Sequence, residues 1–463
     1  MFQLANNPKM ANTKRRRLST QCMIFLAISA TSILHWNIGA ALYVLWIVPY
    51  YEGLTTSQHH LSHEKAILSK FTKREFTPSK QAVVHLKEPS LVVQNQPSQL
   101  LPTRGWWSEY ADKIKRVYRP LSDSSRFDWC IPLSKTMANK IPSSSETTKG
   151  LLYVKIYHSA PSIGEGITIS MARHVAQRLY RNKTTVCQHY YRHEFSDSKG
   201  QRRRDMPSLA WAVVRYPAER DLTEIFYQHV SREGLPPTDK NLQLLLKGMR
   251  GRQTRYLVPD WSDLESLKLY RKGGNHSALA GLIQDRILDN YDFLAIAERL
   301  EESLAVMKLL WNLELSDLIV LSSADQAYDD GSTKDSESGK KSCFELQQPF
   351  WTPAVKAYIP SKHVTNNPDY LLYEAAMQSL DATIHSLGRD RVKRVADEIR
   401  LLLTEAKNRC QPKAIFPCSN WGELQVSQSK KSCYDQDFGC GHDCIDQMMA
   451  EYEEGKLAKN WHV

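Results

Sequence analysis

Arg215, Arg220 and Thr223 are placed to do anion chemistry. Ala210–Val214 is an apolar run of the kind that forms a strand, and it ends abruptly at Arg215. Pro217 stops the strand, and Arg220 and Thr223 follow three residues apart, one turn of a helix. The order sets a guanidinium at a strand end, a second at the opening of a helix, and a hydroxyl one turn later. An arginine presents a planar fork of donors, and a helix start adds free N–H groups and the positive end of its dipole. Such a cluster suits a phosphate.

A second candidate lies upstream in Lys155-Ile-Tyr-His158-Ser159-Ala-Pro161-Ser162-Ile-Gly164. Leu151–Tyr157 reads as a β-favouring strand, and Ile167–Arg181 as an amphipathic helix with Ile167, Met171, Val175 and Leu179 every four residues. Between them, small residues let backbone N–H groups face an anion. The segment lacks both the Gly-Lys-Ser/Thr ending of a P-loop and the three-glycine dinucleotide fingerprint. A plain strand–turn–helix explains it equally well when it stands alone. Two anion sites on one chain imply a ligand with phosphates at both ends.

The elements that must position these turns alternate. Further helices are expected over Asn241–Arg250, Asp260–Lys272, Glu298–Leu313, Asp369–Leu387 (with Gly388 as its C-cap) and Arg389–Arg409; further strands over Tyr291–Ala297 and Asp317–Ser322. Strand–helix alternation indicates an α/β domain with a central parallel sheet. Residues 323–342, rich in Asp, Ser, Gly and Lys, read as a disordered insert.

Taken together, the two turns resemble those of the sulfotransferase family, whose P-loop-like fold binds 3′-phosphoadenosine 5′-phosphosulfate (PAPS) with one strand–loop–helix for each phosphate. The family's second motif, Arg-Asp-Pro, two residues, Arg, two residues, Ser, appears here as Arg215-Tyr216-Pro217, Arg220 and Thr223. Tyr291-Asp-Phe-Leu-Ala-Ile-Ala-Glu298-Arg299 with Glu302-Ser303-Leu304, and Asp369-Tyr-Leu-Leu-Tyr373 through Leu387-Gly388, are similar to segments of the membrane-bound carbohydrate sulfotransferases. The likeness is greatest to the galactose-3-O-sulfotransferase group and more distant to the uronyl 2-O-sulfotransferases. Gly251, Gln253 and Tyr256-Leu257 resemble the family's Gly-x-Gln-x-x-Tyr-Leu segment, and the resemblance spans roughly 150–390. It implies PAPS as co-substrate, no metal, and a glycan hydroxyl as acceptor. Arg215, Arg220 and Thr223 would meet the 3′-phosphate; Lys155, His158, Ser159, Ser162 and Gly164 would meet the 5′ side. His193, with His189 second, would take the proton from the attacking hydroxyl. One departure stands out: where the family carries the lysine that contacts the phosphosulfate, this chain has His158. A nearby phosphate should favour the charged imidazolium there. Pro161 also removes one backbone donor from the turn.

The rest of the chain fits a secretory-pathway protein. Residues 18–51 contain no Asp, Glu, Lys or Arg, and Lys14-Arg-Arg-Arg17 precedes them. This reads as a signal anchor over 22–50 with a cytosolic tail, 1–21, and the remainder lumenal. A cleaved signal peptide is the rival, but the apolar run exceeds its usual core. A stem follows over 51–148, then the sulfotransferase-like domain over 149–409 and a cysteine-rich extension over 410–463. The expected placement is a single-pass type II protein of the Golgi membrane, with a homodimer left open. Eight cysteines outside the anchor allow complete pairing, and disulfides are favoured over a metal at Cys440-Gly-His442-Asp-Cys444. Asn182 and Asn275 begin glycosylation sequons. The net charge of +11 favours acidic partners; nucleic acid is set aside because no zinc-finger, RRM or KH signature occurs. Two rivals remain: a catalytically impaired relative that binds nucleotide or glycan, and a metal-independent Golgi glycosyltransferase. The chain's one Asp-x-Asp, Asp435-Gln436-Asp437, lies in the cysteine-rich extension, outside the sulfotransferase-like domain.

Overall fold

The computed structural model describes residues 105–457 except 123–126, 135–149, 182–184, 193–207, 259–260, 272, 322–327, 330–342, 415, 417, 420 and 424–440. The tail, the anchor over 22–50, most of the stem, Asn182, His193, Cys433 and Cys440 therefore lie outside the described residues, as does nearly all of the insert. Among the described residues no helix is long and apolar enough to cross a membrane.

In chain order the elements are α1 (Trp106–Ile114), β1 (Pro132–Ser134), β2 (Gly150–Val154), α2 (Pro161–Tyr180), β3 (Thr185–Cys187), β4 (His189–Arg192), β5 (Ser208–Val214) and α3 (Pro217–Ile225), which runs on as a π-helix over Phe226–Arg232. Then come α4 (Asp239–Gly248), α5 (Arg252–Leu257), α6 (Trp261–Arg271), α7 (His276–Ile283), β6 (Phe293–Ile296), α8 (Leu300–Trp311), β7 (Tyr328–Asp329), β8 (Phe344–Glu345), α9 (Pro353–Tyr358), α10 (Pro368–Leu387), α11 (Arg389–Cys410) and α12 (His442–Glu453).

The centre is a parallel four-stranded sheet in the order β4-β2-β5-β6. Three of its strands, β2, β5 and β6, are apolar nearly end to end (Gly-Leu-Leu-Tyr-Val, Leu-Ala-Trp-Ala-Val-Val, Phe-Leu-Ala-Ile), and Leu151–Val154, Leu209–Val214 and Phe293–Ile296 are all buried. Unbroken apolar strands of this kind belong in a sheet covered on both faces. Helix α2 packs on β2, β4 and β5, while α8 and α10 pack on β6.

The chain forms β2, moves outward to β4, then crosses back over β2 to lay down β5 on its other side. The order therefore reverses between β2 and β5. In open parallel sheets, ligands bind outside the carboxyl ends of the strands at such a reversal. The turns carrying His158 and Arg215 follow these two strands.

The expected strand over Asp317–Ser322 is absent. Leu315–Asp317 forms a 3-10 turn closed by a capping box between Glu314 and Asp317, and Leu318–Leu321 is buried without sheet pairing. A short apolar run does not by itself distinguish a strand from other buried backbone. Within the stretch read as an insert, Tyr328-Asp329 pairs antiparallel with Phe344-Glu345. Helix α2 begins at Pro161, six residues before its apolar periodicity does. Proline at the first helical position loses no bond, because that N–H has no intrahelical partner anyway. The folded unit also takes in part of the segment read as stem, since Trp107, Ala111, Tyr118 and Trp129 join the core. The C-terminal extension joins it too, through Ile445, Met448 and Met449 of α12.

Three disulfides tie these additions down: Cys130–Cys187, Cys343–Cys418 and Cys410–Cys444. Cys444, weighed above as a metal ligand, is thus bonded to sulfur. Asn275 is exposed and caps α7, accepting the Ser277 N–H at 2.8 Å.

A steric fit fixes α2 over the sheet. A Cβ on Gly164 would lie 2.1 Å from a ring carbon of Tyr153, which is itself fully buried and packed on Trp211. The Trp211 indole N–H donates to Thr168 Oγ1 at 3.2 Å, and that hydroxyl donates to the Gly164 carbonyl at 2.8 Å. Gly164→Ala should therefore destabilise the fold by about 1–3 kcal/mol, the usual cost of overpacking. Urea unfolding measures it; an unchanged midpoint would show that Tyr153 has room to move.

Candidate functional site

The first turn is compact and left-handed in two places. His158 and Ala160 have φ of 63° and 51°, a region that residues other than glycine enter rarely. The Ser159 N–H closes the turn on the Ile156 carbonyl at 3.2 Å. Ser162 and Ile163 follow Pro161 in the first turn of α2, where backbone N–H groups have no intrahelical acceptor. Ser159 is completely buried and Ser162 nearly so. Gly164 is one residue further along, already inside the helix, where the Tyr153 ring occupies its missing side chain.

The second turn locks onto the first. Arg215 Nη1 donates to the His158 carbonyl at 3.1 Å, and Arg220 Nε donates to the Tyr157 carbonyl at 3.0 Å. Gln253 sits fully buried between them. Its Oε1 accepts the Ser159 hydroxyl at 3.3 Å and the Arg215 N–H at 2.9 Å, and its Nε2 donates to the Arg215 carbonyl at 2.8 Å. One amide side chain thus joins both turns. Asp369, at the start of α10, holds Gln253 in place by accepting the N–H groups of Gln253 (3.1 Å) and Thr254 (2.8 Å) and the Thr254 hydroxyl (2.6 Å). Burial raises the pKa of this carboxyl, with a further push from Asp221.

The basic residues differ in availability. Arg215 is partly exposed, with Glu219 only 3.9 Å from Nη2. Arg220 is fully buried and engaged on every side: Nη1 donates to Asp221 Oδ1 at 2.6 Å, Nη2 pairs with Glu224, and Nε holds Tyr157. Its position supports the site rather than reaching into it. Glu224 also pairs with Arg252, which is partly exposed. Lys155 is largely buried against Glu165, Nζ to Oε2 2.9 Å. The Thr223 hydroxyl donates to the Glu219 carbonyl of its own helix at 2.8 Å.

His158 is strongly perturbed in the free protein. Its pKa is pushed from 6.5 down to about 3, first by burial and then by the positive fields of Arg220, Arg215 and Arg252. The free protein therefore carries a neutral imidazole here at any physiological pH. The sequence shows a histidine at this turn; it does not show three guanidinium groups converging on that histidine from two other elements.

The two base candidates part company. His189 begins β4 opposite Leu151, at the amino end of the sheet and away from the paired turns, and its Nδ1 contacts the Cys187 carbonyl at 2.9 Å. His193 lies outside the described residues, but β4 ends one residue before it with Arg192 opposite Val154, at the carboxyl end.

Glu298, just past β6, supports the second turn. Its carboxylate accepts the Tyr216 N–H at 2.7 Å and the Tyr373 hydroxyl at 3.2 Å, and burial raises its pKa. Sequence reasoning assigned no role to Glu298 or Asp369 and named Gln253 only as part of a segment resembling the family's. Glycine at position 251, whose φ is +74°, was the one local sign of a special turn before Gln253. No protein-family model, curated protein or solved structure matches this chain.

Proposed function

We propose that this crevice binds PAPS and that the protein transfers its sulfuryl group to a glycan hydroxyl. The observation that carries the reading is the meeting of two strand–turn–helix units at the sheet's reversal point, bridged by the partly exposed Arg215. Arg215 would hold the 3′-phosphate, with Arg220 and Glu298 fixing its turn. Ser162, the free N–H groups opening α2 and His158 would face the 5′-phosphosulfate. In the reaction the acceptor oxygen attacks sulfur, a new O–S bond forms, and the bond from sulfur to the bridging oxygen breaks. The electron pair leaves on 3′-phosphoadenosine 5′-phosphate, and the hydroxyl proton passes to a base, for which His193 is proposed. Fixed positive charge then stabilises the developing negative charge on the leaving phosphate. The chain would act as a type II Golgi membrane protein with this domain in the lumen.

A second reading, nucleotide binding without transfer, is favoured by two features of the 5′ turn. His158 is neutral in the free protein, and Lys155 is bound to Glu165.

Calorimetry with 3′-phosphoadenosine 5′-phosphate tests the binding step on the full-length protein. Wild type should bind, and Arg215→Ala should lose about 10- to 100-fold in affinity, the worth of one charge-assisted contact. Failure of wild type to bind removes both nucleotide readings. Transfer of labelled sulfate to glycans then separates the enzyme from the silent binder.

A further inference from the structure

A line of aromatic rings leads away from the 5′ turn. The His158 ring lies 5.2 Å from Tyr227, and Tyr227 lies 5.6 Å from Phe344. Beside them Phe226 meets Phe350 at 5.1 Å, edge to face. Phe226 and Tyr227 open the π-helical segment that continues α3, whereas Phe344 and Phe350 belong to the chain running from β8 toward α9. Wider π-turns recur at functional sites, where they re-aim side chains.

The second segment is pinned rather than loose. Cys343, next to Phe344, is bonded to Cys418, and the Gln347 N–H donates to Ser231 Oγ of the π-helix at 2.8 Å. Even so, its side chains remain open: Phe350 is 47% exposed, and Gln347 and Gln348 are exposed beside it. Phe350 thus presents an open ring with exposed amides beside it, while Tyr227 and Phe344 are half-buried between it and His158.

We infer that the strip formed by Tyr227, Phe344 and Phe350, with Gln347 and Gln348 at its edge, is a saccharide-binding platform that delivers a sugar chain to the His158 end of the crevice. The chemistry matches on both sides. A pyranose ring offers an apolar face of C–H groups, which lies flat on an aromatic ring, and a rim of hydroxyls, which amide groups can both donate to and accept from. Continuity with His158 sets the direction, because the strip begins where the reacting group of the donor would sit. The inference rests on the glycan-acceptor reading above and supplies the acceptor's path. It also gives a role to the β7–β8 pairing and the Cys343–Cys418 bond, which hold the outer half of the strip in place.

The test uses the full-length protein in mild detergent with four neutral probes: cellotetraose, chitotetraose, maltotetraose and lacto-N-tetraose. Saturation-transfer NMR should show contact with at least one of them, without nucleotide present. The double variant Phe344→Ala/Phe350→Ala should weaken that binding by about tenfold or more. Its affinity for 3′-phosphoadenosine 5′-phosphate should stay within about twofold of wild type, which also reports that the variant is folded. Gln348→Ala, at an exposed position, should weaken saccharide binding while leaving the thermal midpoint unchanged. Absence of saturation transfer to all four probes overturns the inference. So does a double variant that loses nucleotide affinity instead, which would make the strip a nucleobase platform. Should wild type bind saccharide but no nucleotide, the donor assignment fails and the platform stands.

Discussion

Arg220→Ala should lower the stability of the fold by about 3–5 kcal/mol, the usual consequence of breaking a buried ion pair from one side. The arginine is fully buried, and so is its partner Asp221. Truncation removes the arginine from buried Asp221, leaves Glu224 to Arg252 alone, and takes from the Tyr157 carbonyl its 3.0 Å donor. Asp221 keeps one contact, His363 Nε2 at 2.9 Å, while the other nitrogen of that ring lies 3.1 Å from the Tyr370 hydroxyl. The damage should therefore spread toward α10. Arg220→Lys keeps the charge but replaces a fixed fork by a single ammonium on a flexible stem, and should fall between wild type and alanine. Urea unfolding monitored by tryptophan fluorescence gives the ranking. A loss below about 1 kcal/mol for alanine would mean that water reaches the site and rehydrates the carboxylates.

If the protein transfers sulfate from PAPS as proposed, His158→Lys should raise the rate by about one to two orders of magnitude. A charge-assisted contact is worth about 1.5–3 kcal/mol, and each 1.4 kcal/mol of transition-state stabilisation is a factor of ten. The wild-type rate should also depend on pH in a way that the lysine variant's does not. In the free protein the imidazole pKa lies near 3, below its ordinary 6.5, so the native state keeps it neutral while an unfolded chain would protonate it. Its contribution to stability is fully present above 6.5 and declines as pH falls toward 3. A bound phosphosulfate opposes the three guanidinium fields and raises that pKa, so transfer should quicken as pH is lowered through the liganded value. Labelled-sulfate assays between pH 5 and 8 compare the two proteins. Equal rates at every pH would show that His158 does not touch the leaving group.

Legibility from sequence varied with how local the signal was. The α/β class and the long helices α10 and α11 follow from apolar periodicity and from Gly388, whose φ of 90° ends one helix and starts the next. The two turns were legible because a strand that stops at Pro217, or meets Pro161, announces itself within a few residues. What stayed hidden is long-range. Strand β4, His189-Tyr-Tyr-Arg192, has no apolar run; it becomes a strand because its backbone pairs with β2. The buried state of Arg220 depends on His363 and α10, more than a hundred residues away. Lys155 reads as a cation free to bind, yet Glu165 ten residues later takes it. Charge in a sequence is visible; its neutralisation by a distant residue is not.

Gln253 has a consequence for selectivity. Because one rigid, buried amide is bonded to Ser159 and to the backbone of Arg215, the spacing between the two turns is fixed. A ligand carrying anionic groups at both ends meets the second turn intramolecularly once the first has bound it, at an effective concentration in about the millimolar range when the spans match. A ligand of another length gains only one contact. On the proposed nucleotide reading, the amide makes the paired turns a molecular gauge, measuring the distance between two charges before the identity of either is read.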